Sequence, residues 1–252
     1  MRSFFPFTSL LSVGLAVLMS CAQGPNQTDG TDQSQPKSEP GMEPRSVMEI
    51  AIRKVKEGQE DAFATARTTF IHTLKMQEGV QKDWEFKSFF TMPEPDDTDV
   101  FVGMTRYESL EAMQAIAGKL MQSPEAGQFF STFDMKSFVA VQPVDGGDFR
   151  LEDHIQNGNV LEVAVRTVKT GSEDEFEPKR RAFFDLIARQ PGYLFDREFV
   201  DVQTGDKVVL IGWSSMEDFQ KGAGFLQGQP QMGDFFGILD VKAYQALMLF
   251  SK

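Results

Sequence analysis

The chain has 252 residues, 41% of them apolar and 25% charged, enough for one or two domains with cores of their own. Its formal net charge is −12 and no basic stripe interrupts it, which argues against a nucleic-acid partner, because such a surface repels phosphate backbones. Heavy use of phenylalanine (24 residues) and methionine (13) predicts a bulky, adaptable interior.

Residues 1–20 read as an export signal: Arg2 gives a positive start, and Leu10 to Leu18 form an apolar core too short to span a bilayer. The stretch ends in Leu18-Met19-Ser20-Cys21, and Cys21 is the single cysteine. This resembles the bacterial lipoprotein signal, which implies that Cys21 becomes the lipidated first residue of the mature protein. The other reading is an ordinary cleaved signal with a leftover cysteine. By the resemblance, Ala22 rather than Asp after the cysteine implies the outer membrane of a bacterial envelope, with the membrane as a partner through the N-terminal lipid. Residues 21–45, rich in Gly, Pro, Gln, Ser and Thr, cannot bury enough surface to order themselves and read as a flexible tether.

Glu49 to Phe86 recurs, displaced by 113 positions, as Glu162 to Phe199. Sixteen of the 38 aligned positions are identical, against about two or three expected from ordinary composition. The chain therefore reads as a tandem duplication, residues 46–143 and 159–252, joined by a linker at 144–158 with Gly146-Gly147 and Asn157-Gly158-Asn159. In the first copy, residues 48–55 alternate as a strand and Gly58 marks a turn. Phe63, Arg67, Phe70, Ile71 and Leu74 then recur at helical spacing. Strands follow near 84–90 and 100–107. Ser109 opens a second helix, Pro124 breaks it, residues 128–133 form a short apolar turn, and 136–141 is the last strand. The second copy runs through strand 161–168, a helix whose start conflicts with Pro178, strands 193–202 and 207–213, a helix from Met216 and strand 241–250. Ser172 and Glu175 suit a capping box. The order predicts an α+β fold. Two ferredoxin-like β-α-β-β-α-β repeats, with both helices on one face of each sheet, pack sheet against sheet as a pseudo-two-fold monomer.

The first-strand pattern Ile50-Ala51-Ile52-Arg53, the turn Gln190 to Tyr193, and the run Val209 to Phe219 resemble the antibiotic-biosynthesis-monooxygenase superfamily of dimeric α+β barrel proteins. The resemblance covers nearly all of 46–143 and 159–251. It implies one intramolecular pseudo-dimeric α+β barrel, with a pocket between helices and sheet. It also implies activities that include cofactor-free oxygenation of aromatic ketides, haem degradation and isomerisation. Haem-degrading members need a histidine on a late helix. The corresponding stretch here is Lys221 to Gly224, so haem degradation does not fit, and no cofactor is expected.

Few residues offer chemistry. His72 is either a general base or a surface histidine on the polar side of its helix, and the second copy has Asp185 there. His154 reads as a solvated linker residue. Arg53 and Arg166 either hold a carboxylate or enolate oxygen in a pocket or serve structure, with Glu49 meeting Arg166 and Glu162 meeting Arg53 across the pseudo-two-fold axis. Trp84, Phe86 and Phe90 are candidates to line an aromatic pocket. Trp213, opposite Met104 in the first copy, is either pocket or core. Glu94, Asp96, Asp97 and Asp99 read as a solvated turn rather than a calcium loop, and no metal site is expected. Two functions stay open: a lipid-tethered module binding a small apolar or aromatic molecule or a partner, and a cofactor-free monooxygenase or related enzyme. A bare scaffold is a third.

Overall fold

The computed structural model describes residues 45–94 and 97–251; the signal, Cys21 and almost all of the tether lie outside them. The elements in chain order are β1 (Val47–Val55), α1 (Glu60–Lys75), β2 (Val80–Met92), β3 (Val100–Tyr107), α2 (Leu110–Leu120), α3 (Pro124–Ser131) and β4 (Phe133–Pro143). They continue, after a 3-10 turn at Leu151–Asp153, with β5 (Val160–Val168), α4 (Glu173–Ile187), β6 (Tyr193–Asp201), β7 (Lys207–Trp213), α5 (Met216–Leu226), α6 (Pro230–Phe236) and β8 (Leu239–Ser251). Among the described residues no helix is long and apolar enough to cross a membrane.

The eight strands close into one antiparallel barrel in the order β1-β3-β2-β8-β5-β7-β6-β4. Closure removes the exposed strand edges that open sheets must protect. The first four strands are contiguous around it as β4-β1-β3-β2, and the last four as β8-β5-β7-β6. The two arcs meet edge to edge along two unequal seams. The β2–β8 seam runs from Trp84 beside Ser251 to Met92 beside Ala243, whereas β4–β6 pairs only 141–143 with 199–201.

Both faces of β1, β3 and β7 are buried or half-buried, so their sequence alternates between two apolar environments rather than between core and water. Met48, Ile50 and Ile52 point into the barrel with Trp84, Phe86, Val102, Met104, Leu161, Val163, Phe199 and Leu210. Val47, Glu49, Ala51, Arg53 and Val55 point the other way, toward the helices. The helices use local signals. Ser109 caps α2 by accepting from Ala112 N at 3.1 Å, and Ser123 caps α3 by accepting from Ala126 N at 3.2 Å. Gly58 and Gly171, identical in the two copies, sit at φ 74° and 86° in the turns before α1 and α4, where a side chain would be strained.

Several local expectations need correction. Pro124 starts a helix instead of only ending one, because its missing N–H falls at the first helical position, where none is needed. Ser172 makes no side-chain cap bond, and α4 runs from Glu173 through Pro178. The linker is not merely a connector. It leaves the end of β4 and enters the start of β5, both at one barrel end, and crosses that mouth. Phe149, Leu151 and Ile155 drop into the barrel core, with Leu151 fully buried. His154 remains exposed, its ring stacked on Phe149 at 5.0 Å.

Candidate functional site

The helix-facing side of β1, β3 and β2 carries a hydrogen-bonded charged track beneath α1. Arg53 Nη2 donates to both oxygens of Glu85, at 2.9 and 2.8 Å. Arg67, from α1, donates through Nε to Glu85 and through Nη2 to Asp83 at 3.0 Å. Thr105 donates to Asp83 at 3.2 Å. Further along the same face, Tyr107 donates its hydroxyl to Glu49 at 3.2 Å. Arg53 and Arg67 are 4% exposed, and Asp83 and Glu85 1% exposed, so all four charges have left water. Such a set persists only when each charge has partners. The Arg53 guanidinium also lies over Phe129, Phe63 and Phe133, with Cζ 5.4, 5.6 and 5.9 Å from the ring centroids.

Gly103 makes this route possible. It lies opposite Ala51 on β3, and the Arg53 side chain passes over it to reach β2. A Cβ at Gly103 would lie 2.8 Å from Arg53 Cζ and closer still to Nη2.

The counterpart in the second half keeps both arginines on one glutamate, with Arg180 3.7 Å from Glu198, and loses the rest of the track. Arg166 pairs with Glu198, and its Cζ lies 5.6, 5.9 and 6.0 Å from the Phe176, Phe235 and Phe184 rings. Register places Val209 where Gly103 stands, Ile211 where Thr105 stands and Trp213 where Tyr107 stands. Trp213 packs against α5, whose Gly222 leaves room for the indole. The structural counterpart of Trp213 is therefore Tyr107 rather than Met104. Glu162 has the neutral Gln245 beside it on β8 in place of a tyrosine, and feels the Arg166 charge as Glu49 feels that of Arg53.

Glu49 is the group whose chemistry is most displaced. It is half-buried on β1, between an apolar cluster containing Ile71, Leu74, Met113 and Ile116 and another containing Phe63, Phe129 and Phe133. Burial pushes its carboxyl up to about 7, against the downward pull of the Tyr107 hydroxyl and the Arg53 charge. Burial raises Asp83 and Glu162 as well, and holds the Tyr107 hydroxyl well above its ordinary value.

The structure scatters the residues singled out from sequence. His72 is exposed on the outer face of α1, away from the charged track. Arg53 and Arg166 are buried, but each bonds a glutamate of its own half. The expected exchange with Glu49 and Glu162 is absent, because these residues face the helices instead of the sheet-to-sheet interior. Trp84 and Phe86 are fully buried inside the barrel, Phe90 is 39% exposed outside it, and Trp213 lies in the helix layer of the other half. These four line no common cavity. Asp97 bonds Lys54 at 2.9 Å and Lys136 at 3.2 Å, so lysines occupy that acidic turn. Among the described residues no group of three or more His, Cys, Asp or Glu is placed to hold a metal. Sequence reasoning missed Arg67, Asp83 and Glu85 as a site, although all three are among the sixteen repeated residues. It also missed Gly103, Thr105 and Tyr107, which are signalled only by their failure to repeat.

No family model matches the sequence, and no curated protein matches it. Solved structures do resemble it. An anthrone oxidase-like protein shares 10% identity at a TM-score of 0.58, over 83% of this chain and 94% of that one. A Fusobacterium nucleatum protein designated "Putative monooxygenase" shares 10% identity at 0.52, over 84% and 95%. A mutant chlorite dismutase from Candidatus Nitrospira defluvii shares 8% identity at 0.53, over 82% and 92%. At this identity the likeness shows the fold: a mixed α+β fold closed around an eight-stranded antiparallel barrel, with neighbours of the dimeric α+β barrel type.

Proposed function

We propose that the chain is a tandem fusion of two ferredoxin-like units in one pseudo-dimeric barrel, acting as a monomer on a small apolar or aromatic molecule between the first sheet and its helices. The reading rests on Glu49: a half-buried carboxyl poised near 7, held by Tyr107 and flanked by apolar side chains. A base with that affinity for protons is matched to neutral pH. The chemistry that fits is cofactor-independent oxygenation. Glu49 takes a proton from an activated C–H group, the carbanion combines with dioxygen to form a C–O bond, and the hydroperoxide, reprotonated, loses water to leave a carbonyl, so that one oxygen atom enters the product and the other leaves as water. Arg53 and Arg67, paired with Asp83 and Glu85, hold the floor of the layer and do not touch substrate. The monooxygenase and oxidase designations of the fold neighbours agree with this chemistry. Binding without turnover is the second reading, favoured by the absence of an acid–base pair common to both halves: Tyr107 beside Glu49 is replaced by Trp213. Anchoring through Cys21 at the outer membrane of a bacterial envelope belongs to the same proposal and rests on residues 1–21 alone. Changing Cys21 to Ser would then shift the protein from the detergent phase to the aqueous phase.

The test is native mass spectrometry and oxygen uptake on the protein with anthrone-type and other enolisable aromatic ketones. Oxygen uptake by wild type that falls about a hundredfold or more in Glu49→Gln, with binding retained, supports catalysis. Binding with equal, spontaneous uptake in both supports the second reading. No binding of any aromatic probe overturns both.

A further inference from the structure

An open space lies well away from Glu49. A cavity of about 610 Å³ lies at the capped barrel mouth, where the start of β1, the ends of β3 and β4 and the linker converge. That volume falls in the range of small-molecule sites. Its walls are polar: Arg106, Arg150 and Arg45 supply positive charge, and Glu108 and Asp148 negative. We propose that this cavity binds a small polar carboxylate that also carries hydrogen-bond donors, of the amino-acid or hydroxy-acid class.

Arg106 carries the argument. It is 7% exposed, yet it lines the cavity. Its Nη1 donates to the Phe149 carbonyl at 3.4 Å and its Nη2 to Glu152 Oε1 at 3.2 Å. Its Nε and Glu152 Oε2 are both buried without a partner. The Arg106 guanidinium thus has donor capacity to spare in the cavity wall, where Glu108 and Asp148 supply acceptors, and a ligand presenting both kinds of group suits that wall. A carboxylate reaches the Arg106 edge and Arg150, whose side chain is 56% exposed and lies 3.5 Å from Glu152. Hydroxyl or ammonium groups of the same ligand face Glu108 and Asp148. The mixed charges disfavour a bare polyanion, and the chain's net −12 disfavours it further.

The second half shows what the same rim looks like without a site. Register puts Gly212 in the place of Arg106, and the Phe195 ring and Ile155 close the space above it. The cavity therefore belongs to one half and to the linker, and lies apart from the Glu49 layer.

Isothermal titration calorimetry on the full chain tests this, with a panel of amino acids and hydroxy acids, inorganic phosphate alone, and neutral polyols. Expected is saturable binding of at least one acid below about 1 mM. Arg150→Ala and Arg106→Gln should each weaken that binding at least tenfold, and exposed His72→Ala should leave it unchanged. Arg106 also holds the linker, so if Arg106→Gln loses its native circular dichroism, Arg150→Ala decides alone. The proposal is overturned if no acid binds below about 10 mM, if phosphate or a polyol binds as tightly as the best acid, or if Arg150→Ala binds like wild type.

Discussion

Replacing Gly103 by Ala tests the buried charge track at its narrowest point. Gly103 sits within β3 and takes no left-handed backbone, so in an ordinary strand the change would be favourable by roughly 0.5–1 kcal/mol. Here the new methyl occupies the path of Arg53, 2.8 Å from Cζ. Arg53 is 4% exposed and cannot move aside within the layer without leaving Glu85, itself 1% exposed. Breaking one partner from a buried pair costs about 3–5 kcal/mol, so a net loss of about 2–4 kcal/mol is expected. With a urea slope of about 2 kcal/mol per M, the midpoint should fall by about 1–2 M. Gly118→Ala is the control. It lies exposed on α2 with open space where its Cβ would be, and should gain up to about 1 kcal/mol. The reasoning is refuted if Gly103→Ala matches or exceeds wild-type stability while Gly118→Ala behaves as stated.

Glu49 links stability to pH. Its folded pKa of about 7 exceeds the ordinary 4.5, so its favourable share of stability is full below about pH 4.5 and is lost as pH rises through 7. Glu49→Gln should therefore gain up to about 3 kcal/mol on wild type between pH 4.5 and 8 in urea titrations, and a flat difference would sink the assignment. Leu151→Ala, though in the linker, should cost about 3 kcal/mol by thermal or urea unfolding, whereas the exposed neighbour Asp153→Ala should stay within about 0.5 kcal/mol. Double-mutant cycles should show coupling of about 1 kcal/mol or more for Arg166 with Glu198, and none for Arg166 with Glu49; the reverse result would restore the cross-pairing.

The strand and helix order was legible because periodicity switches cleanly between two and 3.6 along the chain. Which face of β1 met which neighbour was not. Ile50 and Ile52 on one face and Ala51 and Arg53 on the other both look like half-buried strand positions, and pattern alone cannot tell barrel from helix layer. The charged residues were assigned to the barrel side and belong to the helix side. Their partners were visible in principle, since Arg67, Asp83 and Glu85 repeat together as Arg180, Asp196 and Glu198. Acidic and basic residues that persist together among core positions signal mutual neutralisation. Phe149, Leu151 and Ile155 were unreadable, because a segment crossing a barrel mouth follows no period. Gly103 and Tyr107 were unreadable for a different reason: their meaning lies in contrast with Val209 and Trp213, and only register aligns those pairs.

The inequality of the two seams makes the barrel a hinged clasp. The β2–β8 side is a long spine with two bulges, while 141–143 against 199–201 is a short catch, extended by one backbone bond at each end and latched by the linker through Arg197 and Asp145 at 2.6 Å. Strain applied to the molecule is relieved first at the catch. Amide protons of Val141, Gln142 and residues 199–201 are therefore expected to exchange before those at the centre of the β2–β8 seam.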